Sequence, residues 1–598
     1  MLYSRRGRQV LLSKDSSFWR RHHLQQLECD CDIDAPAVAE SLGPIGDIDD
    51  RSVLAGMKRH WPGSLRSDYS ETRACGSAGT PIAGCKRKFT EVDDLFRWPQ
   101  CIAERHQAGV GEETVKSKIR SLLSSGVMLS THYSGVGMAE DAAAFALTLA
   151  SRGVGLEPKR DAIVGYSSCD LSKACRSVLM RAGATKHVFG DLLSRVSVPV
   201  LQKLTHKLVG FRARLDAECH VDIDVDCDKQ LAAAAARRSA LIKRIGSEWF
   251  AAACDILGAE SFSEDTKAYC YKCRRMCLCF PSAHDVGNRV LVEVSGTTCV
   301  AWSSMSRSAL GWLHDSSIPF LCWARMVQFM EPHLIVHECV PRFDFESMSV
   351  ALGGKYDVSS SVFSPCDIGF PSRRPRRYTV CVLKGARRGL GQPEITWDTD
   401  LNLQGFAKVA CRTPTDDGII FMQATEEQQT RVYCQYAATR HWPGMWCKDQ
   451  AWSWYRLLCP GDQRRLLAYG RLVLTEFASA DAPFMFVNIT QNANYMKDMG
   501  SLSSFTPALM RSSRLFICTP DLAWRPVVPE ELFAVQGLPM FGEDAVRSLS
   551  PLAMAIHEEA TTGGLSMVQL RQLAGNSMHH AAVGAVLLDA LLRTHVRQ

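Results

Sequence analysis

The chain has 598 residues, enough for several domains or for one large core with insertions. Its 46% hydrophobic and 22% charged residues are ordinary for a globular protein, and no apolar run approaches the roughly 18 residues that span a bilayer. The net charge of +6 is only mildly basic, so it permits an anionic partner such as nucleic acid without arguing for one.

The 24 cysteines are scattered along the chain, and the opening stretch "MLYSRRGRQVLLSKD" has too short an apolar core for a signal peptide. We therefore expect a soluble intracellular protein in a reducing compartment, with no membrane partner. Residues 1–115 are polar and turn-rich, which predicts a poorly ordered or small appended region. Its basic run "KRKF" at 86–89 is more typical of a solvated charge cluster than of a nuclear address.

Short apolar strands alternate with helical stretches from about residue 116 onward. "VMLSTHYSGVGMAEDAAAFALTLAS" is typical of a strand, a glycine turn and an alanine-rich helix, and "RDAIVGYSSCDLSKACRSVLMRAG" repeats that order. This alternation predicts an α/β fold with a doubly wound, mostly parallel sheet. In such sheets ligands bind beyond the carboxyl ends of the strands, so the residues that follow each strand matter most.

Two intervals interrupt the alternation. Residues of about 193–289 contain an alanine- and arginine-rich helical segment and a cysteine cluster, which predicts a helical insertion. Residues of about 388–520 are rich in tryptophan, arginine and loops. The helical pattern returns over 521–598.

Three successive strand ends carry residues suited to a nucleoside ligand. Gly135 and Gly137 let a ligand approach the backbone at a helix start, Asp170 is placed to bind a ribose, and Asp191 is placed to accept from an adenine amino group. Each of these residues alone is more often structural, since glycine turns and capping acids are common before helices.

Later strand ends carry chemically reactive side chains. Cys299 follows the strand "RVLVEV", and Glu338 ends the strand "HLIVHE". In "SRRPRRYTVCV", Ser372, Arg374 and Arg376 alternate and so share one face of a strand. A nucleophile, an acid and two cations are suited to attack, protonate and hold an anionic aromatic substrate.

The order and spacing of these motifs resemble the cytosine-5 DNA methyltransferase family. The resemblance covers residues of about 120–598 and rests on six motifs in the family's order: "THYSGVGM", "SGTTCVAWS", "HECVP", "SRRPRRY", "PEELFAVQGLP" and "LAGNSMHHAAVGAV". It implies a Rossmann-like catalytic domain in two parts, 116–387 and 521–598, with a target-recognition domain over 388–520. It also implies S-adenosyl-L-methionine as cofactor and double-stranded DNA as partner, with the target cytosine flipped out; the compartment would be nuclear in a eukaryote and otherwise cytoplasmic.

The resemblance also assigns roles by position. Cys299 would add to carbon 6 of cytosine, Glu338 would protonate ring nitrogen 3, Arg376 would contact the base carbonyl, and Arg374 would steady the cysteine. The residues implied at the cofactor are Tyr133, Ser134, Gly135, Gly137, Asp170, Leu171, Asp191 and Asn576.

Several positions depart from the family pattern. Thr297 and Thr298 stand where prolines are usual, Cys339 replaces the central Asn of the Glu motif, Ser372 replaces a Gln, and Thr131 replaces an acid. Two alternatives therefore stay open: a catalytically silent scaffold that binds DNA or cofactor, and an RNA cytosine-5 methyltransferase of similar fold.

The cysteine cluster "CYKCRRMCLC" contains weak candidates for zinc ligands. Cys270 and Cys273 have zinc-ligand spacing, but Cys277 and Cys279 are separated by a single residue and would need help from His284 or Cys254. We expect reduced thiols rather than a metal site.

Overall fold

The computed structural model describes residues 92–159, 161–219, 228–260, 262–303, 310–385, 394–397, 403–414, 417–439, 455, 457–477, 484–491, 493, 505–518 and 524–597. It also describes two short paired strands, β1 (Leu2–Tyr3) and β2 (Gln9–Val10). The basic run at 86–89 lies outside the described residues. No helix of the described part is both long and apolar enough to cross a membrane.

A nine-stranded sheet forms the centre of the molecule, in the order β10-β11-β9-β8-β3-β4-β5-β6-β7. Its strands are β3 (Val127–His132), β4 (Ile163–Cys169), β5 (Thr185–Phe189), β6 (Lys267–Cys270), β7 (Arg275–Leu278), β8 (Val290–Gly296), β9 (Leu334–Cys339), β10 (Tyr356–Phe363) and β11 (Arg376–Leu383). Strands β5, β4, β3, β8 and β9 are mutually parallel, whereas β11 runs antiparallel to both of its neighbours. The predicted mostly parallel sheet is confirmed.

The helices are α1 (Val92–Leu95), α2 (Trp98–Val110), α3 (Glu112–Ser125), α4 (Met138–Gly153), α5 (Lys173–Ala182), α6 (Val198–Cys219), α7 (Asp228–Gly258), α8 (Ala283–Val286), α9 (Ser317–Met330), α10 (Phe345–Ala351), α11 (Leu403–Ala410), α12 (Glu426–Thr439), α13 (Pro460–Phe477), α14 (Pro529–Val535), α15 (Asp544–Arg547), α16 (Pro551–Thr562), α17 (Met567–Asn576) and α18 (His580–Leu592).

Helices cover both faces of the sheet, because successive side chains of a buried strand point to opposite sides. Val127 and Leu129 of β3 belong to the core that includes α2, α4 and α18, whereas Met128 belongs to the core that includes α6, α7 and α9. The doubly wound arrangement predicted from the alternating elements is therefore confirmed.

The fold already includes residues that the sequence placed in the N-terminal appended region. Leu95, Phe96, Trp98 and Ile102 are buried in the main core, where the Trp98 ring lies against Gly584 of α18. Residues of α1 and α2 therefore contribute to the main core. The apolar residues of α2 are few and lie in a polar stretch of sequence, so this helix was not recognised.

The predicted insertion contains two long helices and a strand hairpin. Helices α6 and α7 pack on each other, and Leu204 and Trp249 anchor them in the second core. Strands β6 and β7 form an antiparallel hairpin that pairs with β5 and so extends the main sheet. The helical character is as predicted, but the hairpin's place in the sheet is not apparent from the sequence.

A smaller core lies between the two parts of the main fold. The antiparallel strands β13 (Met485–Asn488), β14 (Leu515–Cys518) and β15 (Trp524–Pro526) pack with α12 and α13. Helix α11, in contrast, lies against the main core, and strand β12 (Glu394–Trp397) pairs with the terminal β16 (Thr594–Arg597). In the described residues the separate core therefore runs from α12 to β15.

Candidate active site

The parallel strands bring the predicted site residues to one edge of the sheet. Strands β3, β4 and β5 end at the predicted cofactor residues, and β8 and β9 end near Cys299 and at Glu338. Gly296 at the end of β8 pairs with Glu338, and Tyr378 of β11 pairs with Glu338 from the other side. The strand order thus places the cofactor residues directly beside the reactive ones.

The turn after β3 has a backbone that few residue types adopt. Tyr133, Gly135 and Gly137 have φ values of 55°, 58° and 101°, all in the left-handed region. Glycine adopts this region without strain, whereas Tyr133 does so at an energetic cost that its surroundings must offset. No heavy atom lies within 4 Å of the position that a Cβ on Gly135 would take, so the turn leaves open space there.

Ser134 ties this turn to the neighbouring strand. Its hydroxyl accepts from the Cys169 amide at 2.9 Å, and its own amide donates to the Cys169 carbonyl at 3.1 Å. It lies 2.6 Å from the Thr131 hydroxyl. Ser134 therefore has a structural part in holding the turn, in addition to the cofactor contact that the resemblance implies.

Glu140 of α4 is a buried acid that the sequence analysis missed. Thr131 and Ser168 each donate a hydroxyl hydrogen bond to its Oε1 at 2.5 Å, and its Oε2 has no hydrogen-bond partner among the described residues. Burial raises the pKa of this carboxyl despite those hydrogen bonds. A carboxylate thus lies beside Thr131, the position where the family pattern has an acid.

Asp170 follows β4 and faces the glycine turn. Its carboxylate accepts from the Gly135 amide at 2.9 Å and from the Ser172 amide at 2.8 Å. Burial raises the pKa of Asp170, and these two backbone hydrogen bonds oppose that rise. Because each carboxylate oxygen accepts more than one hydrogen bond, Asp170 retains capacity for the hydroxyls of a ribose.

The other predicted cofactor residues lie near this edge with different degrees of engagement. Leu171 is half-buried, and its carbonyl accepts from Arg176. Asp191 caps the short helix Leu192–Arg195 through its Oδ1, which leaves Oδ2 for a ligand. Asn576 is exposed at the end of α17, and among the described residues no hydrogen bond links it to the other predicted cofactor residues.

The loop that carries Cys299 is anchored by a side chain instead of a proline. Thr297 Oγ1 lies 2.7 Å from His337 Nε2 on the adjacent strand β9. Burial lowers the pKa of His337 to about 3, so the imidazole is neutral and forms one hydrogen bond with the threonine. Thr298 is exposed, and Cys299 is half-buried with its carbonyl accepting from the Trp302 amide.

The pKa of the Cys299 thiol is set by opposing effects. Burial raises it above the ordinary thiol value, Arg376 and then Arg374 lower it, and Glu338 raises it. All four predicted catalytic residues are therefore close enough to interact electrostatically. The thiolate is the nucleophilic form of cysteine, so the two guanidinium groups favour the reactive state.

Arg376 and Glu338 form an ion pair. Arg376 Nε lies 2.9 Å from Glu338 Oε1, with both side chains largely buried. The contact is an ion pair without the alignment of a hydrogen bond, so the buried Glu338 Oε1 has no hydrogen-bond partner among the described residues.

Arg374 makes its direct contacts with the backbone. Its guanidinium donates to the carbonyls of Leu509 at 2.7 Å, Ser577 at 2.8 Å and, more weakly, Gly575 at 3.5 Å. It thus joins the segment before β14 to the Gly-Asn-Ser turn that holds Asn576. Its influence on Cys299 is electrostatic, so it is a positioning residue in this structure.

The cofactor residues fit an adenosyl ligand in their donor and acceptor chemistry. The Tyr133 hydroxyl is buried and has no hydrogen-bond partner in the described part of the chain. With the open space at Gly135 and the acceptor capacity of Asp170 and Asp191, the edge offers both room and polar groups. These features suit the methionine, ribose and adenine parts of S-adenosylmethionine.

The cysteine cluster differs from the expectation in its membership. The side chains of Cys270, Cys273 and Cys277 lie with His187 of β5, and their ligating atoms are all within 4.8 Å of one another. Cys279, Cys254 and His284 do not belong to this group. The sequence could not reveal His187, because it is 83 residues before Cys270 and adjoins it only through the β5–β6 pairing.

No protein-family model matches the chain, and no curated protein matches it. Solved structures to which it is similar include the methyltransferase EhMeth of Entamoeba histolytica, with 12% identity and a TM-score of 0.35 over 78% of this chain and 98% of that one. The Dnmt2 methyltransferase of S. pombe has 11% sequence identity to the chain and a TM-score of 0.36, and the match covers 78% of this chain and 98% of that one. A mutant of Spodoptera frugiperda DNMT2 has 10% sequence identity and a TM-score of 0.31, and the match covers 77% of this chain and 99% of that one.

Proposed function

We propose that the chain is a methyltransferase that transfers a methyl group from S-adenosyl-L-methionine to carbon 5 of cytosine in DNA, through a covalent adduct at Cys299. The observation that carries this proposal is the placement of Cys299, Glu338 and Arg376 at one edge of the sheet, beside the glycine turn of β3. The six sequence motifs support it independently, because they occur in the order of the family that they resemble.

The chemistry requires a nucleophile and an acid on the same base. The Cys299 thiolate adds to carbon 6 of cytosine while Glu338 supplies a proton to ring nitrogen 3, which makes carbon 5 electron-rich. When bound, S-adenosylmethionine supplies an electrophilic methyl group to that carbon. A base then removes the carbon 5 proton, the sulfur–carbon bond breaks to release the thiolate, and the proton on nitrogen 3 returns to Glu338.

Arg376 and Arg374 have different parts in this scheme. Arg376 holds Glu338 in place by the ion pair and contacts the base carbonyl, whereas Arg374 fixes the turn that carries Asn576. Tyr133, Ser134, Gly135 and Gly137 hold the methionine part of the cofactor, and Asp170, Leu171, Asp191 and Asn576 hold its adenosine. The target cytosine leaves the stack, since its faces are inaccessible within a duplex. Target recognition is assigned to residues 388–520.

The decisive experiment is transfer of a labelled methyl group to DNA by the wild-type chain and by Cys299→Ala. We expect the variant to fall below about one-thousandth of the wild-type rate, because the nucleophile is lost. Cys254→Ala, at another half-buried cysteine whose pKa is affected by burial and by Asp255, none of them a predicted catalytic residue, is the matched control and should keep the rate. Unchanged transfer by Cys299→Ala would overturn the proposed mechanism.

The alternatives are distinguished by trapping the adduct. Duplex DNA that contains 5-fluorocytosine should form a covalent complex with the wild-type chain and not with Cys299→Ala, since fluorine at carbon 5 blocks release of the sulfur. A complex on the matching RNA alone would indicate an RNA methyltransferase. Binding of cofactor or DNA with no complex on either nucleic acid would indicate a silent scaffold.

A further inference from the structure

We propose that His187, Cys270, Cys273 and Cys277 form a structural zinc site that fastens the β6–β7 hairpin to the edge of the main sheet. The four side chains come from two separate parts of the chain and converge only in the folded state. Among the described residues they are a group of three thiols and one imidazole with all ligating atoms within 4.8 Å. Three cysteines and one histidine are a common tetrahedral donor set for structural zinc.

The backbone brings these side chains together for identifiable reasons. Cys277 pairs with Ala268 across the hairpin, and side chains alternate along a strand, so Cys277 and Cys270 share one face. The turn over residues 271–274 returns Cys273 toward that face, with Arg274 at a φ of 56°. His187 lies on β5, two residues before Phe189, which pairs with Cys270.

The distances match those of a bound ion. A tetrahedral zinc with bonds of about 2.3 Å to sulfur and about 2.0 Å to nitrogen separates a sulfur from a nitrogen by about 3.5 Å and two sulfurs by about 3.8 Å. The observed distance from Cys273 Sγ to His187 Nδ1 is 3.5 Å. No two ligating atoms of the set are more than 4.8 Å apart, which is about 1 Å beyond the separation of two sulfurs bound to one zinc.

The surroundings also suit a metal thiolate. Cys270 Sγ accepts backbone hydrogen bonds from the Cys273 amide at 3.3 Å and from the Val188 amide at 3.4 Å. Such outer hydrogen bonds orient metal ligands and stabilise thiolate charge. Lys186, Arg275 and Lys272 act electrostatically on His187, opposed by Asp285, so cations outnumber acids around the group and favour the net negative charge of three thiolates around one Zn²⁺.

Burial separates this group from a chance cluster of surface thiols. Cys270 is fully buried, and Cys277 and His187 are 7% and 8% exposed, while Cys273 is half-buried. A site of this kind has four protein ligands and no open position, which is the arrangement of structural zinc. A two-stranded hairpin at the sheet edge has little apolar core of its own, and a bound ion would supply stability that such a core otherwise provides.

The experiment measures metal in the full-length chain, purified under reducing conditions without chelator. Elemental analysis should find zinc in stoichiometric amount in the wild-type chain. Cys273→Ser and Cys277→Ser should each lower it substantially. Cys279→Ala is the matched control, because Cys279 lies just beyond the same hairpin but outside the group, and it should retain the zinc.

A spectroscopic measurement covers the case in which a variant fails to fold. Exchange of the wild-type metal for Co²⁺ should give the intense visible bands and the sulfur-to-cobalt charge transfer of a tetrahedral thiolate site. Absence of zinc from a folded wild-type chain, or zinc retained in full by both serine variants, would overturn the proposal. A disulfide within the group under the same reducing conditions would overturn it as well.

Discussion

The segment that presents Cys299 shows how a departure from a family pattern is compensated by one side chain. Prolines would restrict the backbone before the cysteine, and here Thr297 restricts it through a hydrogen bond to the neutral imidazole of His337. Neither residue is informative alone, since the contact joins positions 40 residues apart. The cysteine, the acid and the arginines could be predicted from their motifs, whereas this contact and the acid of Glu140 depend on the fold.

The reactivity of Cys299 should depend on pH in a direction set by its neighbours. Burial raises the pKa of this thiol and Arg376 lowers it, so replacing Arg376 removes a stabilising charge from the thiolate and raises the pKa further. Alkylation of Cys299, followed by mass spectrometry across a pH series, should therefore rise at higher pH in Arg376→Gln than in the wild-type chain.

A neighbouring arginine provides the control for that shift. Arg377 donates to the Pro341 carbonyl and is not among the charges that act most strongly on the pKa of Cys299. Arg377→Gln should therefore leave the alkylation profile where it is in the wild-type chain. A profile that moves to lower pH in Arg376→Gln would contradict the electrostatic assignment.

The β6–β7 hairpin contributes a side chain to the cofactor edge as well as a proposed metal site. Tyr271, in its turn, packs on Gly190, where a Cβ would lie 2.9 Å from the tyrosine ring, and carries the Arg176 guanidinium over its ring at 4.2 Å. Arg176 in turn donates to the carbonyls of Asp170 and Leu171. The hairpin thereby supports the residues that we assign to the adenosine.

Removal of the Tyr271 ring should weaken cofactor binding. A cation–π contact of about 1 kcal/mol corresponds to about a fivefold loss of affinity, so Tyr271→Ala should bind S-adenosylmethionine about fivefold more weakly in equilibrium titration. Met276→Ala removes a more exposed side chain of the same hairpin and should bind as the wild-type chain does. Equal affinity in both variants would show that the hairpin does not support the site.

The order of the elements was predictable because each strand and helix has a local periodicity, but the pairing at the sheet edge was not. The cysteine hairpin is short and polar on one side, and its partner β5 lies about 80 residues earlier in the chain. Helix α2 was also missed because its packing partner is distant in sequence: Trp98 packs on α18, near the end of the chain. Local patterns identify elements, whereas distant packing decides their neighbours.

The whole fold depends on the return of the C-terminal segment to the first half of the catalytic core. Asp141, on the first turn of α4, lies at this junction. Its carboxylate accepts from the Ser550 hydroxyl at 2.6 Å and from the Leu552 amide at 3.0 Å, and lies 3.0 Å from His580 Nε2. The partners are more than 400 residues away in sequence, and Asp141 is only 4% exposed. One acid therefore joins α4, α16 and α18.

Asp141→Ala should destabilise the chain more than an ordinary substitution does. It leaves a buried hydroxyl, amide and imidazole without their acceptor, which costs about 3–5 kcal/mol when a buried network of this kind is broken. The midpoint of urea unfolding should fall accordingly. Asp161→Ala, at an exposed acid whose ion pair with Lys159 is 4.0 Å long, should change the free energy of unfolding by less than about 0.5 kcal/mol. Equal midpoints for the two variants would show that the C-terminal segment is held by its apolar contacts alone.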